Sequence, residues 1–456
     1  MATKTLSKLS LTSYSLYNAA SDSIANWSRG FILAALKLII IGEITIKDIP
    51  ANEVLQFGEP GRLSTTLTVN SSAMWWRVLS RGSLGFSEAY MLNEVDCDDM
   101  TSFLEIMVYN RNDTADMKTP LSYLTSSMVG WARASNKPLM SLANVQAHYD
   151  LSNDMFAAFL SPDMTYSCPK WLPIDDAESK TDNLEKAQIR KLQEIIQQAI
   201  IKETDHVLEI GTCWGSSAIE AVRSTGCRVT SLTLSIEQKQ EAETRIAAAG
   251  FKKNITVLLK DYRELPGQGL LFDKVVSIEM LEHVGKAHLP SYFGMVNELL
   301  KKDGGIAVFQ SSTMPETVSE PITPLMEQWN DMLPAFHSTI YLPGAHLPTA
   351  TQMVEAAHQG SGGSLIPDRL INLGGHYSRC LRGWRENFAD NFESHIVPAL
   401  MERNGGITKS DIEIFRKKWM FYFYFCEAGF KTKTLGVTMI TFVREGSVDT
   451  LEGLVQ

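Results

Sequence analysis

Cysteine is scarce. Six residues (Cys97, Cys168, Cys213, Cys227, Cys380 and Cys426) are scattered through 456, and no two form a CxxC pair. That spacing excludes a disulfide scaffold, gives no reason to expect a structural zinc or other metal site, and points to a reducing, cytoplasmic setting. Long hydrophobic runs are missing as well. The most apolar stretch, Phe31 to Ile41, is interrupted by Lys37 and followed by Glu43, whereas a bilayer span needs about 20 apolar residues. It reads as a buried helix running into a strand, rather than as a membrane-surface anchor. The polar, Ser/Thr-rich N-terminus has no apolar signal-peptide core. There is no basic surplus: 42 Lys and Arg face 52 Asp and Glu, net −10, the wrong sign for a general nucleic-acid binder. Internal repeats and low-complexity tracts are absent.

Hydrophobic residues make up 44% and charged residues 21%, as in a packed globular protein of roughly two to three domains at this length. Residues 1–110 are expected to hold a small α+β domain. Ile41–Ile46 alternates with period two, Leu63–Val69 is a second β-rich run, and Gly58–Gly61 makes a turn between them. Asp98–Thr101 reads as a helix start. Residues 111–140, rich in Ser, Thr, Asn and Lys, read as a linker. From 141 to 445 the pattern is α/β, with 446–456 as a tail. After an amphipathic helix from Leu184, strands at 206–210, 228–234, 255–259, 274–278 and 306–310 alternate with helices at 216–223, 237–249 and 289–300. Such alternation predicts a doubly wound, mostly parallel sheet. Leu435–Val443 reads as a last strand, antiparallel at an edge.

In such a sheet ligands sit beyond the carboxyl ends of the strands. The turn Glu209–Ile210–Gly211–Thr212–Cys213–Trp214–Gly215 is in that place. Gly211 and Gly215 let the backbone bend and approach a ligand. The turn lacks GxGxxG, and no GxxxxGK[ST] occurs in the chain, which disfavours dinucleotides and nucleoside triphosphates. The Glu209 carboxylate suits a cationic amino group. A turn that merely closes a βα unit is the other reading, and the segment alone leaves both open.

Several ordered blocks decide between them. Ala147–Asn153, Met164–Cys168, Val207–Gly215, Leu232–Gln238, Glu279–Gly285, Tyr341–Gly344, His376–Tyr377 through Trp384–Phe388, and Cys426–Phe430 resemble the cyclopropane-fatty-acyl-phospholipid synthase family and the related mycolic acid cyclopropane synthases. Gly85–Met91 extends the likeness into the N-terminal region. The resemblance implies a Rossmann-like, class I S-adenosylmethionine methyltransferase that methylates an alkene. It implies cofactor contacts from Tyr166, Ser167, Gly211, Thr233, Gln238, Asp261 and Tyr262, with Thr233 and Gln238 holding the ribose edge. Glu209, Trp214, Gly215, Leu234 and Ser235 complete the expected cofactor set. Core packing is the plainer reading of Trp214 and Tyr262.

Attack by the alkene leaves a carbocation on the acyl chain, which electron-rich rings stabilise. Tyr149, Tyr166, Tyr377, Tyr422 and Phe423 are candidates. In the family a bound bicarbonate removes the proton that closes the three-membered ring. The matching contacts are Cys168, Glu282, Gln310, Ser312 and Tyr422, with Cys168 given only a backbone or packing role. Plainer readings are a helix-terminal carboxylate for Glu282 and a packed aromatic for Tyr422. The chain departs from the family pattern twice: Gln310 stands where bacterial members have His, as in plant and fungal relatives, and Cys213 replaces a turn glycine. A cysteine is strained there if φ is positive.

The implied substrate is an unsaturated phospholipid acyl chain or another lipid alkene. The implied setting is cytoplasmic with transient membrane contact, and family analogy suggests a homodimer. Arg379, Arg382 and Arg385, with Arg416–Lys418, either dock lipid or form an ordinary salt-bridged face. Two other readings remain at this point: a C-methyltransferase giving a methyl-branched sphingolipid or secondary metabolite, and a lipid-binding relative that has lost catalysis.

Overall fold

The computed structural model describes residues 23–111, 153–319, 346–403 and 405–451. The chain divides into two compact units, Met1–Tyr149 with Asn404–Ala428, and Asp150–Arg403 with Gly429–Gln456. The expected continuous domain from 141 to 445 is thus interrupted, because residues 404–428 group with the first unit.

In the first unit, helix α1 (residues 23–36) precedes strands β1 (Glu43–Asp48), β2 (Glu53–Gly58) and β3 (Ser64–Val69). Then follow α2 (Ala73–Met91), the short β4 (Val95–Cys97) and α3 (Met100–Tyr109). The Asp99 carboxylate caps α3 by accepting the Ser102 N–H at 3.0 Å. The strands form one sheet in the order β2-β1-β3-β4. Ile44 and Ile46 of β1 and Leu67 and Val69 of β3 are buried at every second position, so one face of this sheet is a core face.

The second unit begins with α4 (Asn153–Phe159) and α5 (Leu184–Gln198), the latter capped by Asn183, whose side chain accepts the Lys186 N–H at 2.9 Å. Strands and helices then alternate: β5 (His206–Ile210), α6 (Ser216–Thr225), β6 (Arg228–Thr233), α7 (Ile236–Ala248), β7 (Ile255–Leu259), β8 (Lys274–Ile278), α8 (Leu289–Leu299) and β9 (Ile306–Thr313). Helix α9 (Ala350–Ser361), strand β10 (Ile366–Asn372), α10 (Gly374–Asn391) and α11 (Val397–Arg403) follow. Helix α12 (Lys409–Lys431), most of it in the first unit, leads to β11 (Gly436–Val443).

The seven-stranded order is β10-β11-β9-β8-β5-β6-β7. Strands β5 to β9 run parallel and β11 is antiparallel to both neighbours. The last strand is therefore antiparallel as expected, but β10 lies outside it and forms the edge. Chain progression runs from β5 outward through β6 to β7, then returns to β8 on the other side of β5. The winding reverses between β5 and β8, the place where such sheets open a crevice. Leu208 and Ile210 of β5, Phe309 of β9 and Phe442 of β11 pack with Phe293 of α8 and Met353 of α9 in one buried cluster.

Candidate functional site

A cleft of about 790 Å³ opens at this reversal point. Ile210, Gly211 and Cys213 line it after β5, Leu232 to Ser235 at the end of β6, Lys260 to Arg263 after β7, and Ile278 to Met280 after β8. Of the expected cofactor residues, the fold gathers Gly211, Thr233, Leu234, Ser235, Gln238, Asp261 and Tyr262 on this wall. Gly211 has φ +107°, a conformation that glycine adopts freely. The Thr233 hydroxyl donates to Gln238 Oε1 at 2.9 Å, and Ser235 caps α7 by accepting the Gln238 N–H at 3.1 Å. Asp261 is held by the Arg263 guanidinium, whose Nη2 stands 2.5 Å away, and this bond pulls its carboxyl below the usual range. The half-buried Tyr262 ring faces the cleft and meets Tyr292 edge to face at 5.0 Å.

Other expected residues lie elsewhere. Successive residues of β5 alternate between faces, so Glu209 points away from Leu208 and Ile210. It lines a small interior cavity with Ile195, Val207, Ala218 and Val276, and accepts the Ser231 hydroxyl. Burial pushes its carboxyl up to about 7. The reading of Glu209 as partner for a cleft-bound amino group is corrected accordingly. Trp214 is buried, donates from Nε1 to Asn153 Oδ1 at 2.9 Å and packs on Phe156, which is the plainer reading. Gly215, at φ +86°, starts α6 against Ala242. Tyr166 is not on the cleft wall either. It packs among Phe156, Phe159 and Trp384, its ring 5.1 Å from that of Trp384. Ser167 is buried and accepts Lys191 Nζ at 2.6 Å.

The sequence reading missed the node of the site. Glu279, the residue after β8, sits at φ +49° on the cleft wall. Its Oε1 accepts the Cys168 N–H at 2.8 Å and Gln310 Nε2 at 2.9 Å, and its Oε2 accepts the Tyr377 hydroxyl at 2.9 Å. Three chain segments thus converge on one carboxylate. Its ionised form is opposed by burial and favoured by these donors and by Lys191, which is itself fully buried and whose pKa burial depresses. The only signal in the sequence was an acidic residue at a strand's carboxyl end, within a block already singled out.

Glu282 follows on the next short turn, and its Oε1 accepts the Ser312 N–H at 2.6 Å. Burial first, then the charge of Glu279, pushes its carboxyl up to about 8. Its Oε2 and the Oε1 of Gln310 are buried with no hydrogen-bond partner among the described residues. The Cys168 thiol is fully buried, its pKa well raised by desolvation, and only its backbone N–H serves the node. Tyr422 and Phe423 belong to the first unit, where Tyr422 packs on Trp419 at 5.5 Å and bonds the Cys426 thiol. Tyr149 and the block Tyr341–Gly344 lie outside the described residues.

Several of the groups expected to hold bicarbonate are bonded to one another or to Glu279. The Cys168 and Ser312 N–H groups and the Gln310 amide donate to Glu279, Glu282 or the Cys168 carbonyl.

Comparison with known proteins follows the same lines. The family model described as mycolic acid cyclopropane synthetase matches residues 136–440. The chain is 32% identical over 379 residues to tuberculostearic acid methyltransferase of Mycobacterium tuberculosis, covering 81% of each. It is 28% identical over 406 residues to cyclopropane-fatty-acyl-phospholipid synthase of Escherichia coli, covering 86% of this chain and 92% of the relative. A mycolic acid cyclopropane synthase solved with SAH and CTAB superposes with a TM-score of 0.54 at 26% identity, covering 66% of this chain and 98% of that one.

Proposed function

The chain belongs to the mycolic acid cyclopropane synthetase family of S-adenosylmethionine-dependent methyltransferases, and on that premise we propose that it methylates the double bond of an unsaturated phospholipid acyl chain. The observation that carries this reading is the cleft itself. At the point of winding reversal it combines a glycine bend, a Thr233–Gln238 polar pair, the Asp261–Tyr262 turn and the Glu279 node.

S-adenosylmethionine, when bound, supplies an electrophilic methyl group on a sulfonium. Gly211 admits backbone close to such a ligand, and Thr233 and Gln238 offer a hydroxyl and an amide to ribose oxygens. Tyr262, Leu234 and Met280 provide an apolar slot of the kind that holds a purine. Glu279 places negative charge on the wall, which favours a cationic ligand and the positive charge that develops on the acyl chain. Tyr377 donates to Glu279 through its hydroxyl while its ring packs on Trp384 and Phe430, so this aromatic group is fixed in orientation. A bicarbonate ion, which the resemblance implies as proton acceptor, would lie by Cys168, Glu282, Gln310 and Ser312 and would replace some of the bonds these groups make to one another and to Glu279.

A second reading, a methyl-branched product, is favoured by the likeness to a relative named a methyltransferase rather than a cyclopropane synthase. Incubation with methyl-labelled S-adenosylmethionine and unsaturated phospholipid vesicles, followed by NMR of the lipids, tests both. Upfield ring protons indicate cyclopropane, and new methyl or methylene signals indicate the branched product. Label that never enters the lipid rejects the phospholipid reading. Failure to bind the cofactor at all would favour a lipid-binding relative without catalysis.

A further inference from the structure

We propose that Lys191 is a positioning residue for the cofactor: lodged behind the cleft wall, it fixes Ser167 and supports the charge of Glu279, so that the wall weights binding toward the cationic methyl donor and against its neutral product. This rests on the methyl-transfer reading and adds to it a discrimination between substrate and product.

Lys191 lies on the inner face of α5, with Ala187, Gln188, Leu192 and Ile195, and is 0% exposed. A methionine would fill such a place without desolvating a charge. A buried ammonium is costly unless it is both bonded and paired. Its bond goes to Ser167, whose hydroxyl accepts Lys191 Nζ at 2.6 Å. Gln188, one turn earlier on the same face, donates from Nε2 to the Ser167 carbonyl at 2.7 Å. Two side chains of one helix thus hold one residue at two points. The next residue, Cys168, gives its N–H to Glu279 Oε1 at 2.8 Å. The clamp therefore sets the donor against which the Glu279 carboxylate rests.

The pairing is with Glu279. Desolvation opposes the charged form of each, and the charge of the other favours it. Glu279 lines the cleft and Lys191 does not, so the negative end of the pair is the one a ligand meets. S-adenosylmethionine carries its methyl on a positively charged sulfur, whereas S-adenosylhomocysteine has a neutral thioether. An ionised Glu279 attracts the first more than the second, and a protonated one does not. Removing the charge of Lys191 pushes Glu279 toward its protonated form. Asp163 and Glu209 also face Lys191, but neither lines the cleft. Of the carboxylates that feel this lysine, Glu279 is the one placed to pass its effect to a ligand.

The test is calorimetric titration of the full chain with S-adenosylmethionine and with S-adenosylhomocysteine, in the absence of lipid. The chains compared are the parent, Lys191→Met, Glu279→Gln and the double variant. The ratio of the two affinities is expected to fall about tenfold against the cationic ligand in each single variant. The double variant should fall no further than either alone, because both changes act on one charge. Lys191→Gln, which keeps a donor for Ser167 but no charge, reads the same loss should the methionine variant not fold. A ratio that stays at the parent's value in Lys191→Met, Lys191→Gln or Glu279→Gln overturns the inference. So does a lysine variant that weakens both ligands alike, the mark of a merely structural residue, and so do losses that add in full in the double variant. These outcomes leave the methyl-transfer reading standing, since the parent still binds both ligands. A parent chain that binds neither overturns that reading and this inference with it.

Discussion

Cys213 stands at φ +46° on the wall of the cleft, and Glu279 and Met164 share the left-handed region at +49° and +60°. Side chains other than glycine and asparagine reach that region only at a cost of about 1–3 kcal/mol each. At Cys213 nothing recovers that cost through chemistry: the half-buried thiol has its pKa pushed up to about 12 by desolvation, so it is no nucleophile. Cys213→Gly is therefore expected to raise stability by about 1 kcal/mol in urea unfolding, with S-adenosylhomocysteine binding kept. Cys213→Val, β-branched at a positive φ, should lower stability by about 2 kcal/mol. A loss of stability in the glycine variant would mean that thiol packing outweighs the backbone term.

Glu282 gives a second prediction at the same scale. Its pKa is about 8 in the folded chain and near 4.5 as an ordinary Glu, so the folded state binds the proton more tightly. Stability from this group is full below about pH 4.5 and is lost as pH rises through about 8. Glu282→Gln cannot ionise. Its Tm relative to the parent chain should climb between pH 5 and pH 8, by roughly the ten degrees that about 4 kcal/mol shifts a domain of this size. A difference that stays flat over that range would mean that Glu282 is ionised throughout, and the pKa would have to be abandoned.

Among the elements, α8 and α9 cross where two glycines meet. A Cβ on Gly360 would lie 2.0 Å from the Pro290 carbonyl oxygen and 2.7 Å from the Gly294 nitrogen, all of it backbone that cannot swing aside. These helices cover one face of the sheet, and Ser291 and Met295 of α8 border the cleft. Gly360→Ala should force them apart, lowering stability by about 2–3 kcal/mol and weakening S-adenosylhomocysteine binding in calorimetry. Neither glycine stood out in the sequence, since the contact joins residues far apart along the chain. The parallel strands were legible because each is a short apolar run closed by a turn: 255–259 and 274–278 match to the residue. Strand β10 was not. Its Ile366–Pro367–Asp368–Arg369 is exposed and carries a proline, and only backbone pairing with β11 makes it a strand. β2 was hidden for the same reason, with four of its six residues exposed. In the site, the residues that follow strand ends could be placed from the winding rule. The Glu279 network could not, because its three donors lie 111, 31 and 98 residues from it along the chain and nothing local marks their convergence.

At the scale of the whole molecule, charge bears on how the protein would meet a lipid surface. The chain carries net −10, and its basic clusters are occupied within each unit. Arg379 lies over the Trp171 ring at 3.8 Å and donates to the Asp182 carbonyl, and Arg382 and Arg385 also have partners. In the first unit Arg416 pairs with Glu413, the buried Lys417 reaches Asp96 at 2.7 Å, and burial holds Lys418 down at about 8. The salt-bridged reading of these clusters is the one the contacts support. Each basic side chain free to meet an anionic headgroup adds about 1 kcal/mol to membrane binding, and these are not free. Among the described residues no helix is long and apolar enough to cross a membrane. Exposed Trp27, Ile40, Ile49 and Val54 of the first unit offer apolar rather than charged contact. Vesicle flotation at low salt should therefore show binding to anionic vesicles within about twofold of binding to zwitterionic ones, with little change when salt is added. A tenfold preference for anionic lipid, lost in salt, would instead require a basic surface that these contacts do not leave available.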